Sequence, residues 1–156
     1  MGWSIVLLAE QPFNVARICS MVVPEPVVGD QCLTRRPRVL IAEDHPGVAK
    51  AVGRVLAPDC DVVGSVEDGS AVLEAAQRLQ PDVIVVDLNL PNVNGLEVCR
   101  QLTRENPEAK VIVFSAMDDA DIKRRSFEVG ASAFVSKMGD GELLATVKRL
   151  CTVTRP

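Results

Sequence analysis

Aromatic residues are scarce: four Phe, one Trp and no Tyr make up 3% of the 156 residues. Any core therefore has to be built from Val, Leu, Ile and Ala, in a chain that is 47% hydrophobic and of ordinary single-domain length. There is one histidine, His45, and no CxxC pair among Cys19, Cys32, Cys60, Cys99 and Cys151. That set cannot assemble a zinc site at the usual spacing. Five widely spaced thiols, an odd number, read instead as reduced and mostly buried in a cytoplasmic protein. No apolar run approaches the roughly 18 residues of a membrane span. Ile5 to Ala9 is too short for a signal-peptide core and follows no basic segment. Val6 stands where a myristoylation pattern needs Ser or Thr. Charge of one sign is lacking too. With 17 basic and 21 acidic side chains the net charge is −4, which offers no footprint for direct nucleic-acid binding and no polybasic membrane patch.

What is present is organised around one stretch. Val83-Ile84-Val85-Val86 is a run of β-branched apolar residues, the pattern of a strand buried on both faces of a parallel sheet. It stops at Asp87, which places a carboxylate at the carboxyl end of a central strand, where open α/β sheets carry their ligand sites. Leu88 to Asn94 has turn chemistry, with Pro91, Asn92 and Asn94, and Gly95 opens the next amphipathic segment.

Similar units flank this one. Arg38 to Ala42 reads as a strand running into Glu43-Asp44, with His45-Pro46 starting a helix whose stripe is Val48, Val52, Val55 and Leu56. Asp61 to Val66 is the next strand, followed by a helix with Val72, Ala75, Ala76 and Leu79 inward. After the Asp87 strand comes a helix with Leu96, Cys99 and Leu102 inward, then a strand from Lys110 to Phe114 ending at Ser115-Ala116. Met117 to Asp121 reads as a loop and Ile122 to Val129 as a weakly apolar helix, with Lys123, Arg124 and Arg125 outward and Gly130 as its stop. Ala133 to Val135 is a short fifth strand ending at Ser136-Lys137, and Leu143, Leu144, Val147, Leu150 and Cys151 mark the last helix. Alternation of this kind gives (βα)₅: an α/β fold with a doubly wound, parallel, five-stranded sheet and helices on both faces.

Parallel strands bring their polar ends, Glu43-Asp44, Asp87, Ser115 and Lys137, to one edge. Three carboxylates crowded together repel and raise one another's pKa, and are tolerated mainly around a divalent cation. At this point the chain resembles the receiver domains of bacterial two-component response regulators. The resemblance covers about residues 37–152 and rests on Glu43-Asp44, on Asp87 with Leu88-Asn89-Leu90-Pro91-Asn92-Val93-Asn94-Gly95, on Ser115-Ala116, and on Phe134 three residues before Lys137. Ile41 to Pro46 and Gly130 to Phe134 look most like the subfamily usually fused to helix-turn-helix output domains.

The resemblance implies a flavodoxin-like strand order 2-1-3-4-5 and a set of roles. Asp87 would be the phosphoacceptor, taking a phosphoryl group from a sensor histidine kinase, a phosphotransfer protein or a small phosphodonor. Asp44, Asp87 and the Asn89 carbonyl would hold Mg²⁺ (or Mn²⁺), with Glu43 acting through its water shell. Lys137 and the metal would neutralise the transferring group. Ser115 would contact the phosphoryl oxygens, and Ser115 with Phe134 would form the switch to a partner-binding surface, a homodimer being one such partner. The chain would catalyse only its own phosphorylation and dephosphorylation. Met138 follows Lys137 where many relatives have Pro, which leaves Lys137 less rigidly placed. His45 suits a helix start better than catalysis.

Two other classes of function share part of this pattern. A haloacid-dehalogenase-type phosphatase also uses a strand-end aspartate, but it needs a proton-donating carboxylate two residues on, where this chain has Asn89. A purely structural module would keep clustered acids at a cost in stability with no gain. The chain either stands alone or is the receiver part of something longer. Residues 1–36 are an extension that the resemblance does not explain. Shifted by 33 positions, Val6 to Glu10 falls on Val39 to Glu43, and Val15 to Arg17 on Val48 to Lys50, with Gln11 in place of Asp44. A degraded repeat would make Ile5 to Ala9 a strand and Asn14 to Val23 a helix. The alternative is a loosely ordered extension, or sequence upstream of a start at Met21. Residues 153–156 are a short tail.

Overall fold

A computed structural model of the chain describes residues 35–139 and 141–152. The expected strand at Ile5 to Ala9, the helix at Asn14 to Val23 and the tail at 153–156 lie outside these residues. Ten elements alternate along the described chain: β1 (Arg38–Ala42), α1 (Pro46–Leu56), β2 (Asp61–Val66), α2 (Gly69–Leu79), β3 (Val83–Asp87), α3 (Gly95–Glu105), β4 (Lys110–Ser115), α4 (Ala120–Glu128), β5 (Ala133–Ser136) and α5 (Glu142–Thr152). All strand pairs are parallel, in the order β2-β1-β3-β4-β5, so the flavodoxin-like arrangement holds.

Alternation along each strand divides the core in two. Leu40, Ala42, Ile84, Val86, Val111 and Val113 face one side, where Val72 and Ala76 of α2 and Val98, Cys99 and Leu102 of α3 cover them. Val39, Ile41, Val83, Val85, Ile112 and Val135 face the other, under Val52 and Leu56 of α1 and Leu143 and Val147 of α5. Every residue of β3 is buried, as befits the middle strand of a sheet covered on both faces.

Helix starts follow local chemistry. His45 caps α1, its Nδ1 accepting from the Val48 amide at 3.4 Å with Pro46 at the first position. Asp68, Asn94 and Asp119 accept the amides of Ser70, Leu96 and Ile122, each at 2.8 Å. Arg35 and Arg36, on the far side of the expected boundary at 37, bind into this domain. Arg35 forms paired bonds of 2.8 and 2.7 Å to Asp82, whose Oδ2 also accepts the Arg38 amide, and Arg36 donates to the Ala57 carbonyl.

Several positions differ from the pattern-based reading. Val55 is exposed, because α1 turns its Val52–Leu56 stripe to the sheet. On α3 the buried valine is Val98, while Leu96 is half-buried against the same core. α4 begins at Ala120 rather than Ile122, started by the Asp119 cap, and Ser126 is its one buried residue. Its basic residues are largely neutralised: Lys123 pairs with Asp118, and Arg124 with Asp121 and Glu128. Among the described residues Cys60, Cys99 and Cys151 are free thiols. Burial pushes Cys99 and Cys151 up to about 11, and at Cys151 the charges of Asp82 and Cys60 add to it. Such thiols are poor nucleophiles. No helix of the described residues is long and apolar enough to cross a membrane.

Two glycines give opposite expectations. A Cβ on Gly95 would stand 2.2 Å from the Asp87 carbonyl oxygen and 2.7 Å from the Leu88 Cα, both backbone atoms. A Cβ on Gly53, inside α1, meets nothing within 4 Å. Thermal unfolding should show Gly53→Ala raising stability by about 0.5–1 kcal/mol. Gly95→Ala should cost about 2 kcal/mol or more, because the start of α3 would be driven off the end of β3.

Candidate phosphoacceptor and metal site

The site grows out of the strand alternation. In β1, β3 and β5 the residues facing α1 and α5 are Val39 and Ile41, Val83 and Val85, and Ala133 and Val135. Two positions further on, the same series reaches Glu43, Asp87 and Lys137, and their side chains meet. Lys137 Nζ donates to Glu43 Oε2 at 2.6 Å and to Asp87 Oδ2 at 2.9 Å. Both acids are withdrawn from water: Glu43 is 2% exposed and Asp87 3%. The second oxygen of Glu43 accepts the His45 amide at 3.3 Å. Asp44, one residue along, turns outward and is exposed. Even so, carboxylate oxygens of Glu43, Asp44 and Asp87 all lie within 4.8 Å of one another.

The electrostatics are incomplete on protein groups alone. Three carboxylates stand against one ammonium, and Asp87 Oδ1 is buried with no hydrogen-bond partner. A buried, unpaired carboxylate oxygen is costly, and a hard divalent cation with oxygen ligands would satisfy both deficits. The donor set therefore fits a cation of the Mg²⁺ type, as a set of acids that could hold a metal. Lys137 is held in its charged form. Burial works against the ammonium, but the hydrogen bonds and charges of Asp87 and Glu43 outweigh it and carry the group above the ordinary lysine value.

Lys137 is anchored at both ends. Its amide donates to the Ser115 carbonyl at 2.8 Å, while its ammonium lies 5.5 Å from the centre of the Phe114 ring. These contacts are made with Met138, not proline, as the next residue. Ser115 is fully buried at the end of β4, and its hydroxyl accepts the Met117 amide at 3.0 Å. Phe134 points to the opposite face of β5 from Lys137, half-buried against α4 with Lys123 5.5 Å above its ring. Lys123 is thus outward and partly exposed but paired, with Asp118 and the Phe134 ring as its neighbours. Asn89 sits in the turn after β3 with its side chain exposed, between buried Leu88 and Leu90. The structure thus gathers Glu43, Asp44, Asp87 and Lys137 into one cluster, with Ser115 joined to it through the Lys137 backbone and Phe134 set apart on the other face. Phe114 was missed from the sequence. Its register opposite Asp87 and Val135 is the signal that would have found it.

Known proteins are similar to this chain in sequence and in fold. Residues 39–148 match the response regulator receiver domain family, more than two thirds of the chain. Transcriptional regulatory protein DegU of Brevibacillus brevis is 34% identical over 119 residues, spanning 75% of this chain and 50% of that protein. The chain spans about half the length of the curated relatives it matches. Among solved structures, a two-component response regulator of the LuxR family from Aurantimonas sp. SI85-9A1 superposes with a TM-score of 0.70 and 26% identity, over 76% of this chain and 86% of that one. The response regulator domain of Thermotoga maritima CheB gives a TM-score of 0.70 and 28% identity, over 78% of this chain and 100% of that one. By this match, and with a parallel sheet that carries an acid cluster at its carboxyl edge, the chain belongs to the response regulator receiver family of two-component signalling.

Proposed function

We propose that the chain is a phosphorylation-switched receiver in which Asp87 accepts a phosphoryl group. The observation that carries this is the state of the Asp87 carboxylate: one oxygen is bound to Lys137, and the other is buried, unpartnered and beside two further acids. In the transfer, one oxygen of the Asp87 carboxylate forms a bond to phosphorus as the donor's P–N bond (from a phosphohistidine) or P–O bond (from an acyl phosphate) breaks. The departing imidazole or carboxylate takes the electron pair of that bond. Mg²⁺, or Mn²⁺, held by Asp44, Asp87 and the Asn89 carbonyl with Glu43 acting through a bound water, would supply positive charge to the phosphoryl oxygens.

This chain's own residues account for the rest. Lys137 already stands against Asp87 and needs only to exchange a carboxylate oxygen for a phosphoryl oxygen. Glu43 keeps the ammonium in place during that exchange. Ser115 has a hydroxyl hydrogen to donate to the phosphoryl group while its oxygen still accepts the Met117 amide. The donor would be a sensor histidine kinase or a phosphotransfer protein, acting in the cytoplasm. The chain would catalyse only gain and loss of its own phosphoryl group, and the output would be a partner-binding surface, as in regulators that carry a separate DNA-binding part. That surface centres on α4. Ser126 alone is buried on this helix, Phe127 is 52% exposed, and Phe134 packs beneath it. A helix with so small an apolar contact shifts at little cost.

Incubation with acetyl phosphate and Mg²⁺ should add one phosphoryl group at Asp87, read by mass spectrometry. Asp87→Asn, or chelation of the metal, should abolish it, and labelling that survives either would overturn the reading. Lys137→Ala should still take up phosphate, but without altering the Phe134 face. In the metal-free protein it should also lower stability by about 3 kcal/mol, because Glu43 and Asp87 would be left buried without a counter-charge. Beryllofluoride, a phosphoryl mimic, should change amide exchange over residues 115–129. Unchanged exchange there would remove α4 as the responding element.

A further inference from the structure

The loop that follows Asp87 is held by two different means along its length. Leu88 and Leu90 are buried in the core and fix its first half from below. Pro91, Asn92 and Asn94 are exposed, and the second half meets the core through half-buried Val93. There the start of α2 supplies two polar restraints. The Gly69 amide donates to the Pro91 carbonyl at 3.3 Å, and the Asn92 side-chain amide donates to Asp68 Oδ2 at 2.6 Å. The Val93 amide donates to the same Pro91 carbonyl at 2.8 Å. Asn92 has φ of +64°, a left-handed conformation that a residue other than glycine keeps only when its surroundings enforce it.

Asp68 is well placed to enforce it. Its Oδ1 accepts the amide of Ser70 at 2.8 Å and the hydroxyl of Ser70 at 2.9 Å, which locks the carboxylate to the first turn of α2. Its other oxygen is left for Asn92. Hydrogen bonds from Ser70, with a smaller share from Asn92, hold the carboxyl below the ordinary aspartate value, so the acceptor facing Asn92 is charged and the bond is short. The clamped residues, Pro91 and Asn92, lie two and three positions beyond Asn89.

We propose that Asp68 and Asn92 are a positioning pair for the metal site: by tying the second half of the loop to α2, they hold the Asn89 carbonyl where a cation on Asp44 and Asp87 meets it. This rests on the reading of Asn89 as a metal ligand through its backbone. Neither residue touches the cation. They act through the loop, and their removal shows as lost metal affinity.

Mg²⁺ affinity, measured by calorimetric titration of the full chain, tests the pair. Removing the support of a metal ligand costs about 10–100-fold in affinity, and one loop restraint among several should fall at about 3–10-fold. Asp68→Ala and Asn92→Ala should each weaken Mg²⁺ binding by that amount. Asn92→Ala keeps the α2 cap intact and remains informative if Asp68→Ala folds poorly. Asn92→Asp alone sets two carboxylates face to face and should bind Mg²⁺ more weakly than the wild type. The reciprocal exchange, Asp68→Asn with Asn92→Asp, restores a donor–acceptor pair and should bring affinity back to within about twofold of wild type. Alanine variants that bind Mg²⁺ as the wild type does would overturn the pair alone, leaving Leu88 and Leu90 sufficient. Weakened binding that the exchange fails to restore would also overturn it, marking the loss as general destabilisation. A wild-type protein that binds no Mg²⁺ would overturn the metal-site reading and the pair with it.

Discussion

One ammonium group, 2.6 Å from Glu43 and 2.9 Å from Asp87, allows two carboxylates to sit almost wholly out of water at the end of a sheet. Three strands must cooperate to make that contact, since its members come from the ends of β1, β3 and β5. The strand order places β4 between β3 and β5, so Lys137 has to reach across a neighbouring strand. Strands lie about 4.8 Å apart, and only a long side chain spans two such spacings to meet a short one. Phe114, the residue of β4 on that face, offers its ring beneath the ammonium. The crossing is thus lined by an aromatic surface that tolerates a cation. A buried ion pair of this kind is a poor source of net stability. It keeps charge in a dry place, which suits a site whose work is electrostatic.

The sequence made some of these features readable and hid others, for reasons that follow from range. Apolar runs that end in polar residues are local, so β1, β3 and the acids behind them were evident, as was the parallel sheet that alternating elements require. The cluster Glu43, Asp87 and Lys137 was legible because the topology leaves those strand ends one edge to share. What the sequence did not reveal is which acid of the pair Glu43-Asp44 turns inward. Adjacent residues point to opposite sides, and the choice depends on continuing the alternation of Val39 and Ile41. Helix faces were misread where two apolar residues competed. Leu96 is the larger residue, yet Val98 lies on the side of α3 that meets the sheet. Lys123 is outward as its helical position implies, but its partners Asp118 and the ring of Phe134 are not evident from that position. The bond from Asn92 to Asp68 spans 24 residues between two loops, and no periodicity or local motif announces such a contact.

The two faces of the sheet are packed differently. On the α1 and α5 side, Leu56, Leu143 and Val147 close over the strands in a well-filled layer, and the charged cluster continues that layer's own alternation. On the other side, α4 is attached by little more than Ser126, Ile122 and Val129, with the ring of Phe134 below. Ser115 stands where the two meet. Its carbonyl holds the Lys137 amide and so ties β5 to β4, while its hydroxyl holds the Met117 amide at the start of the loop to α4. These are separate atoms with separate duties. A new negative group at Asp87 would accept the hydroxyl hydrogen and compete for the ammonium, leaving the backbone bond between the strands unaffected. The sheet would then keep its register while the pull on the hydroxyl passes to Met117 and the loop, and from there to the helix least able to resist it.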